Sequence, residues 1–204
     1  MLEAMDLGCM RAERPLFKGL ALHVAPGECL FVRGRNGSGK TSLLRILAGL
    51  TRPARGKVLW QGLGISQPGS GYRGQFFYVG HADGLNGELS AAENLRALQS
   101  ASGDAHRPAA IACALRDTGL EGKEHLPVRA LSAGQKRRAA LARLLATFRP
   151  LWILDEPVTA LDATAHAWLA RAMDRHLREG GAIVATSHQE IALGHAHKQI
   201  RLEP

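Results

Sequence analysis

The chain has 204 residues, 46% of them apolar and 22% charged, which suffices for the core of one α/β unit with a small subdomain but not for two full domains. No apolar run reaches the roughly 18 residues of a membrane span, since Ala139 to Phe148 is interrupted by Arg143. The net charge of +8 is dispersed, with Lys136-Arg137-Arg138 the one tight cluster, and reads as a generally basic surface with no stable nucleic-acid partner expected.

From the N-terminus, Leu2 to Met10 and Phe17 to Val24 alternate partly around the polar turn Arg11 to Pro15, which predicts a short antiparallel pair. The acids Glu3 and Asp6 stand where a signal peptide needs cations. The expectation is a soluble chain that meets a membrane only through a partner. Pro26-Gly27 then turns the chain into the apolar run Cys29 to Val32, a strand. Gly34 to Thr41, reading GRNGSGKT, lies between that strand and the apolar-periodic stretch Ser42 to Ala48, a helix ending near Gly49.

Lys57 to Trp60 reads as a short strand, Ser66 to Gly74 as a glycine-rich loop, and Gln75 to Gly80 as a second buried strand. Helix signals then take over. Ser90-Ala-Ala-Glu93 is a capping box opening a helix to about Ser100, Pro108 fronts another ending near Gly119, and Ser132-Ala-Gly-Gln135 opens a third over Ala133 to Phe148. Residues 82–150 therefore read as an all-helical subdomain inserted between strand-forming halves. Strands return at Leu151 to Leu154 and Ala182 to Thr186, separated by an Asp162-capped helix that ends at Glu179-Gly180-Gly181. Strand alternating with helix predicts a mainly parallel sheet, with ligands beyond the carboxyl ends of its strands. Cys9, Cys29 and Cys113 form no C-x-x-C pair and read as buried thiols of a reducing compartment.

The chemistry sits at those strand ends. G-x-x-x-x-G-K-[ST] is a phosphate-binding loop: glycines at 34, 37 and 39 let backbone N–H groups close around phosphates, and the helix from Lys40 points its partial positive end at them. Lys40 would reach the β- and γ-phosphates and the Thr41 hydroxyl would ligate Mg²⁺. Asp155 and Glu156 end an apolar strand; beside such a loop the first would hold Mg²⁺ and the second orient or deprotonate the attacking water. Ser132 to Gln135 is an ordinary cap and also a possible γ-phosphate receptor. His188, after the last strong strand, can contact the γ-phosphate and the water.

In this order GRNGSGKT, LSAGQ, WILDEP, Ala160-Leu161-Asp162 and Ser187-His188 resemble the nucleotide-binding subunit of an ATP-binding cassette (ABC) transporter over nearly the whole chain. The resemblance implies one ATPase domain, residues 1–204, with a mainly parallel core sheet, N-terminal antiparallel strands and the helical insert. It implies ATP contacts from Gly34, Arg35, Asn36, Gly37, Ser38, Gly39, Lys40, Thr41 and Ser42, with Mg²⁺ at Thr41 and Asp155 and catalysis by Glu156 and His188. It further implies an ATP-bound homodimer in which Ser132, Ala133, Gly134 and Gln135 of one subunit close over the ATP of the other, with Asp162 in the D-loop that crosses the dimer axis. Two departures stand out. His81 replaces the usual glutamine of the Q-loop, and Arg11 or its neighbours stand where an aromatic residue usually stacks on adenine. Ala133 for glycine is a mild change.

The short length, Val58-Leu-Trp-Gln-Gly62, Gly80-His81, LSAGQKRR, Trp152 and Ser187-His188-Gln189 together resemble the ATPases of the cytochrome c maturation system, described as haem exporters. That implies a peripheral subunit on the cytoplasmic face of a bacterial inner membrane, bound to an integral CcmB-like permease. Other readings are the cassette of another small exporter, a soluble cassette ATPase acting on nucleic acid, or a regulatory module without hydrolysis. The second lacks its usual long heptads, C-x-x-C motifs or second phosphate loop here, and Glu156 with His188 argues against the third.

Overall fold

The strands sort into two sheets according to whether one face or both faces are covered. In the computed structural model, which describes residues 1–202, β1 (Leu2–Arg11), β2 (Arg14–Val24), β4 (Arg55–Trp60) and β5 (Leu63–Gly64) form an antiparallel sheet of order β2-β1-β4-β5. A second sheet contains β3 (Cys29–Arg33), β6 (Phe76–Val79), β7 (Leu151–Asp155), β8 (Ala182–Thr186) and β9 (His197–Arg201) in the order β6-β7-β8-β3-β9. All its neighbours pair in parallel.

Because side chains alternate along a strand, the parallel sheet supplies two cores. Leu30, Val32, Leu151, Ile153, Ala182 and Val184 pack with α1 (Lys40–Leu47) and the antiparallel sheet. Phe31, Trp152, Leu154, Ile183 and Ala185 face α4 (Ala133–Ala146) and α5 (Ala163–Arg178). Strands covered on both faces read as continuous apolar runs. Each fully buried Leu, Ile or Phe among them contributes about 1.5–3 kcal/mol.

A third apolar cluster joins α2 (Ala91–Ala101), α3 (Pro108–Asp117) and α4 through Leu95, Ile111, Leu115 and Ala142. Its helices start as their chemistry dictates. The Ser90 N–H donates to Glu93 at 2.8 Å while the Glu93 N–H donates to Ser90 Oγ at 3.2 Å, and Pro108 opens α3. α4 is the joint: Leu141 and Leu144 face the sheet, while Ala139, Ala142 and Ala146 face α2 and α3.

The structure corrects four details. Cys113 is exposed rather than buried, because α3 buries Ile111, Ala114 and Leu115, a spacing that turns position 113 outward. β6 is only half-buried, being an edge strand. α4 stops at Ala146, since Thr147 is extended (φ −149°) ahead of the helix-incompatible Arg149-Pro150 step. Strand β9, which carries no apolar run, occupies the opposite edge. Among the described residues no helix is long and apolar enough to cross a membrane.

Candidate functional site

The parallel register brings four strand ends together: Val32 and Asp155 each pair with Thr186, and Leu154 pairs with Val79. A cavity of about 500 Å³ opens beyond them, lined by Asn36, Gly37 and Gly39 to Ser42 of the phosphate loop, by His81, Asp155, Glu156 and His188, and at one side by Arg11 and Leu16. That volume is of the size small-molecule sites have. Gly37 and Gly39 take φ values of 82° and 96°, a region that side-chain-bearing residues avoid. Gly39 is also the N-cap of α1 and offers no side-chain cap, so the first amides of the helix are left for a ligand. Lys40 curls over the loop, its ammonium donating to the carbonyls of Gly34 (2.8 Å) and Arg35 (3.2 Å).

Across the cavity, Asp155 is 2% exposed. Its Oδ1 accepts from Thr186 Oγ1 at 2.8 Å, and its Oδ2 has no partner among the described residues. Glu156 sits at φ 48°; its N–H donates to Thr186 Oγ1 at 3.0 Å and its Oε2 accepts the His188 N–H at 3.0 Å. The half-exposed His188 imidazole places Nε2 3.5 Å from Glu156 Oε1. A buried, unpaired carboxylate oxygen is costly unless a cation meets it. With the exposed Thr41 hydroxyl in the same cavity, the donors are the oxygens that Mg²⁺ prefers. The residues fit that ion.

Ser132 to Gln135 do not line this cavity. Ser132 and Ala133 face solvent at the start of α4, where the Gln135 N–H donates to Ser132 Oγ at 3.3 Å and Gln135 Oε1 accepts the Ser132 N–H at 3.0 Å. Gly134 sits in tight space: a Cβ there would lie 3.0 Å from the Ala160 carbonyl oxygen, so that this backbone would have to give. Asp162 caps α5 through the Ala165 N–H (2.8 Å) and accepts from Arg138 at 3.2 Å. The Lys136 to Arg138 cluster is therefore not plain basic surface, and Arg137 within it is buried. Sequence reasoning also passed over Thr186. The available signal was a hydroxyl ending an otherwise apolar strand, Ala-Ile-Val-Ala-Thr, in register with Asp155.

The ABC transporter family model matches residues 17–159. The chain is 51% identical to the cytochrome c biogenesis ATP-binding export protein CcmA of Pseudomonas aeruginosa, over 95% of each chain. The chain belongs to the ABC transporter family, in its cytochrome c biogenesis branch. It is also 51% identical to CcmA 1 of Cupriavidus metallidurans, over 95% of this chain and 93% of the relative. Among solved structures it resembles a dimeric ATP-binding cassette in a post-hydrolysis state with ADP and Pi, with a TM-score of 0.83 and 23% identity over 93% of this chain and 88% of the other. This ABC subunit binds and hydrolyses ATP as part of a cytochrome c biogenesis exporter.

Proposed function

We propose that the loop from Gly34 to Ser42 holds the phosphates of ATP, that Glu156 is the base for hydrolysis, and that the work done is haem delivery through a membrane permease. The observation that carries the site assignment is the Glu156 carboxylate, held by the His188 amide beside the unpaired Asp155 oxygen and across from Lys40. Backbone amides from Gly37 to Thr41 and the Lys40 ammonium take the β- and γ-phosphates, with Arg35, Asn36, Ser38 and Ser42 completing the cradle. Thr41 and Asp155 would hold Mg²⁺, which supplies positive charge against the phosphate oxygens. Glu156 accepts a proton from water as the water oxygen attacks the γ-phosphorus and the bond to the bridging oxygen breaks, leaving ADP and phosphate. The His188 imidazole lines the same cavity, which supports its hydrogen-bonding the transferred phosphoryl group, and His81 lies on the loop after β6, with neutral imidazole able to accept one hydrogen bond where the family's glutamine offers a carbonyl.

Ser132, Ala133, Gly134 and Gln135 are exposed or half-exposed and outside their own cavity, which supports their closing over ATP in a second copy, with Asp162 near the axis of that homodimer. Residues 82–150 act as the helical subdomain of the single ATPase domain and face a CcmB-like integral permease, so that the subunit sits peripherally on the cytoplasmic face of the inner membrane. The experiment is complementation of a deletion strain. Wild-type protein restores covalent haem to c-type cytochromes and Lys40→Ala does not, b-type cytochromes being intact throughout. Normal c-type haem in the deletion strain would move the reading to another export substrate, and wild-type ATPase activity in Lys40→Ala would overturn the site assignment.

A further inference from the structure

Arg137, in the middle of the basic cluster, is 4% exposed. Burying a guanidinium is costly unless its donors are met, and it has five N–H groups in one rigid plane. All five have an acceptor. Nε donates to the Pro157 carbonyl at 3.2 Å; Nη1 donates to the Gly80 carbonyl at 2.9 Å and to Asp83 Oδ1 at 3.2 Å; Nη2 donates to the carbonyls of Asp155 at 3.2 Å and Glu156 at 2.8 Å.

These acceptors belong to two loops at the site. Asp155 to Pro157 is the turn that presents both carboxylates, and its Glu156 has a left-handed φ of 48°. Such a conformation persists only where the surroundings hold it, and three successive carbonyls bound to one planar group do so. Gly80 and Asp83 bracket His81 on the other loop. The clamp itself projects from α4, less than one turn beyond the Ser132 to Gln135 segment.

We propose that Arg137 is a positioning residue for ATP hydrolysis: its guanidinium sets the Glu156 turn, the His81 loop and the start of α4 in one fixed relation. This rests on Glu156 being the base. Arg137 acts through the backbone and makes no hydrogen bond to residues 34–42, so its loss moves the base without moving the phosphate cradle. α4 stays docked in its absence, because Leu141 and Leu144 remain packed on the sheet and Arg143 donates to the Tyr78 carbonyl at 2.5 Å.

The test compares Arg137→Ala, Arg137→Lys and Asp83→Asn with wild type for ATP affinity, kcat and melting temperature, and repeats Arg137→Lys in a Glu156→Gln background. The expected result is a roughly 100-fold fall in kcat for Arg137→Ala and Arg137→Lys, the scale of a small misplacement of a catalytic group, with ATP affinity unchanged. Asp83→Asn loses less, and guanidinium salt restores part of the activity of Arg137→Ala. Arg137→Lys costs nothing further once Glu156 is Gln. Unchanged kcat, or kcat and ATP affinity falling together with the melting temperature, would overturn the proposal by reducing Arg137 to a structural tie. If Arg137→Ala does not fold, Arg137→Lys and Asp83→Asn decide it by the same criteria. Wild-type turnover by Glu156→Gln alone sinks the base assignment instead, a separate outcome.

Discussion

The hydroxyl of Thr186 donates to Asp155 Oδ1 at 2.8 Å and at the same time accepts the N–H of Glu156 at 3.0 Å. One buried oxygen on β8 thus orients the carboxylate ending β7 and fixes the peptide that turns Glu156 into the cavity. Thr186→Val keeps the shape and removes both interactions, leaving an unsatisfied N–H. It should cost about 1–3 kcal/mol of stability and lower kcat about tenfold or more, since the Glu156 peptide loses one of the anchors that position it. Thr186→Ser should recover most of both. Urea unfolding and steady-state ATPase assays on the two variants check this, and equal activity in Val and Ser would remove Thr186 from the site.

Glu156→Gln keeps the side-chain shape and still offers an oxygen to the His188 N–H, but the amide cannot take a proton. A general base is worth about 10²–10⁴ in rate, so turnover should fall by that range while ATP binding survives. ATP then persists long enough for two copies to close over it. Light scattering should show an ATP-dependent dimer of this variant, and a monomer with ATP demonstrably bound would refute the two-copy site for the isolated chain.

What was legible in the sequence is what lies within a few residues of itself. The strand, loop and α1 around Lys40, the carboxylates ending β7 and the capping boxes at Ser90 and Ser132 are local patterns, and they stand where they were expected. Relations across the chain were not legible. Thr186 matters because β8 pairs with β7, and its own neighbourhood shows only a hydroxyl at the end of an apolar strand, not the carboxylate it meets. Arg137 read as one of three adjacent cations, yet Ala140, Leu141 and Leu144, three, four and seven residues on, are buried, and that helical spacing puts 137 on the inward face. Strand β9 escaped because an edge strand in a parallel sheet needs no apolar run: His197 to Gln199 are exposed, and Lys198 pairs with Glu28 at 2.6 Å.

His176 carries a prediction about acid stability. It is 2% exposed, stacks on Trp152 with ring centroids 4.0 Å apart and planes 8° apart, and its Nε2 has no partner among the described residues. Burial lowers its pKa from the ordinary 6.5 to about 4. The unfolded chain therefore binds this proton more readily than the folded one between those two values. Stability from the neutral ring is complete above pH 6.5 and is lost as the pH falls toward 4, amounting to about 3 kcal/mol at the low end. His176→Leu has similar volume and does not titrate, whereas the carboxylates that also weaken the fold in acid are common to both proteins. Urea unfolding of each from pH 8 to pH 4 should give curves whose gap changes by about that amount across the window, the wild type losing ground as the medium becomes more acidic. A constant gap would mean that the ring is charged or solvated in the folded protein, and the stacked, neutral His176 would be wrong.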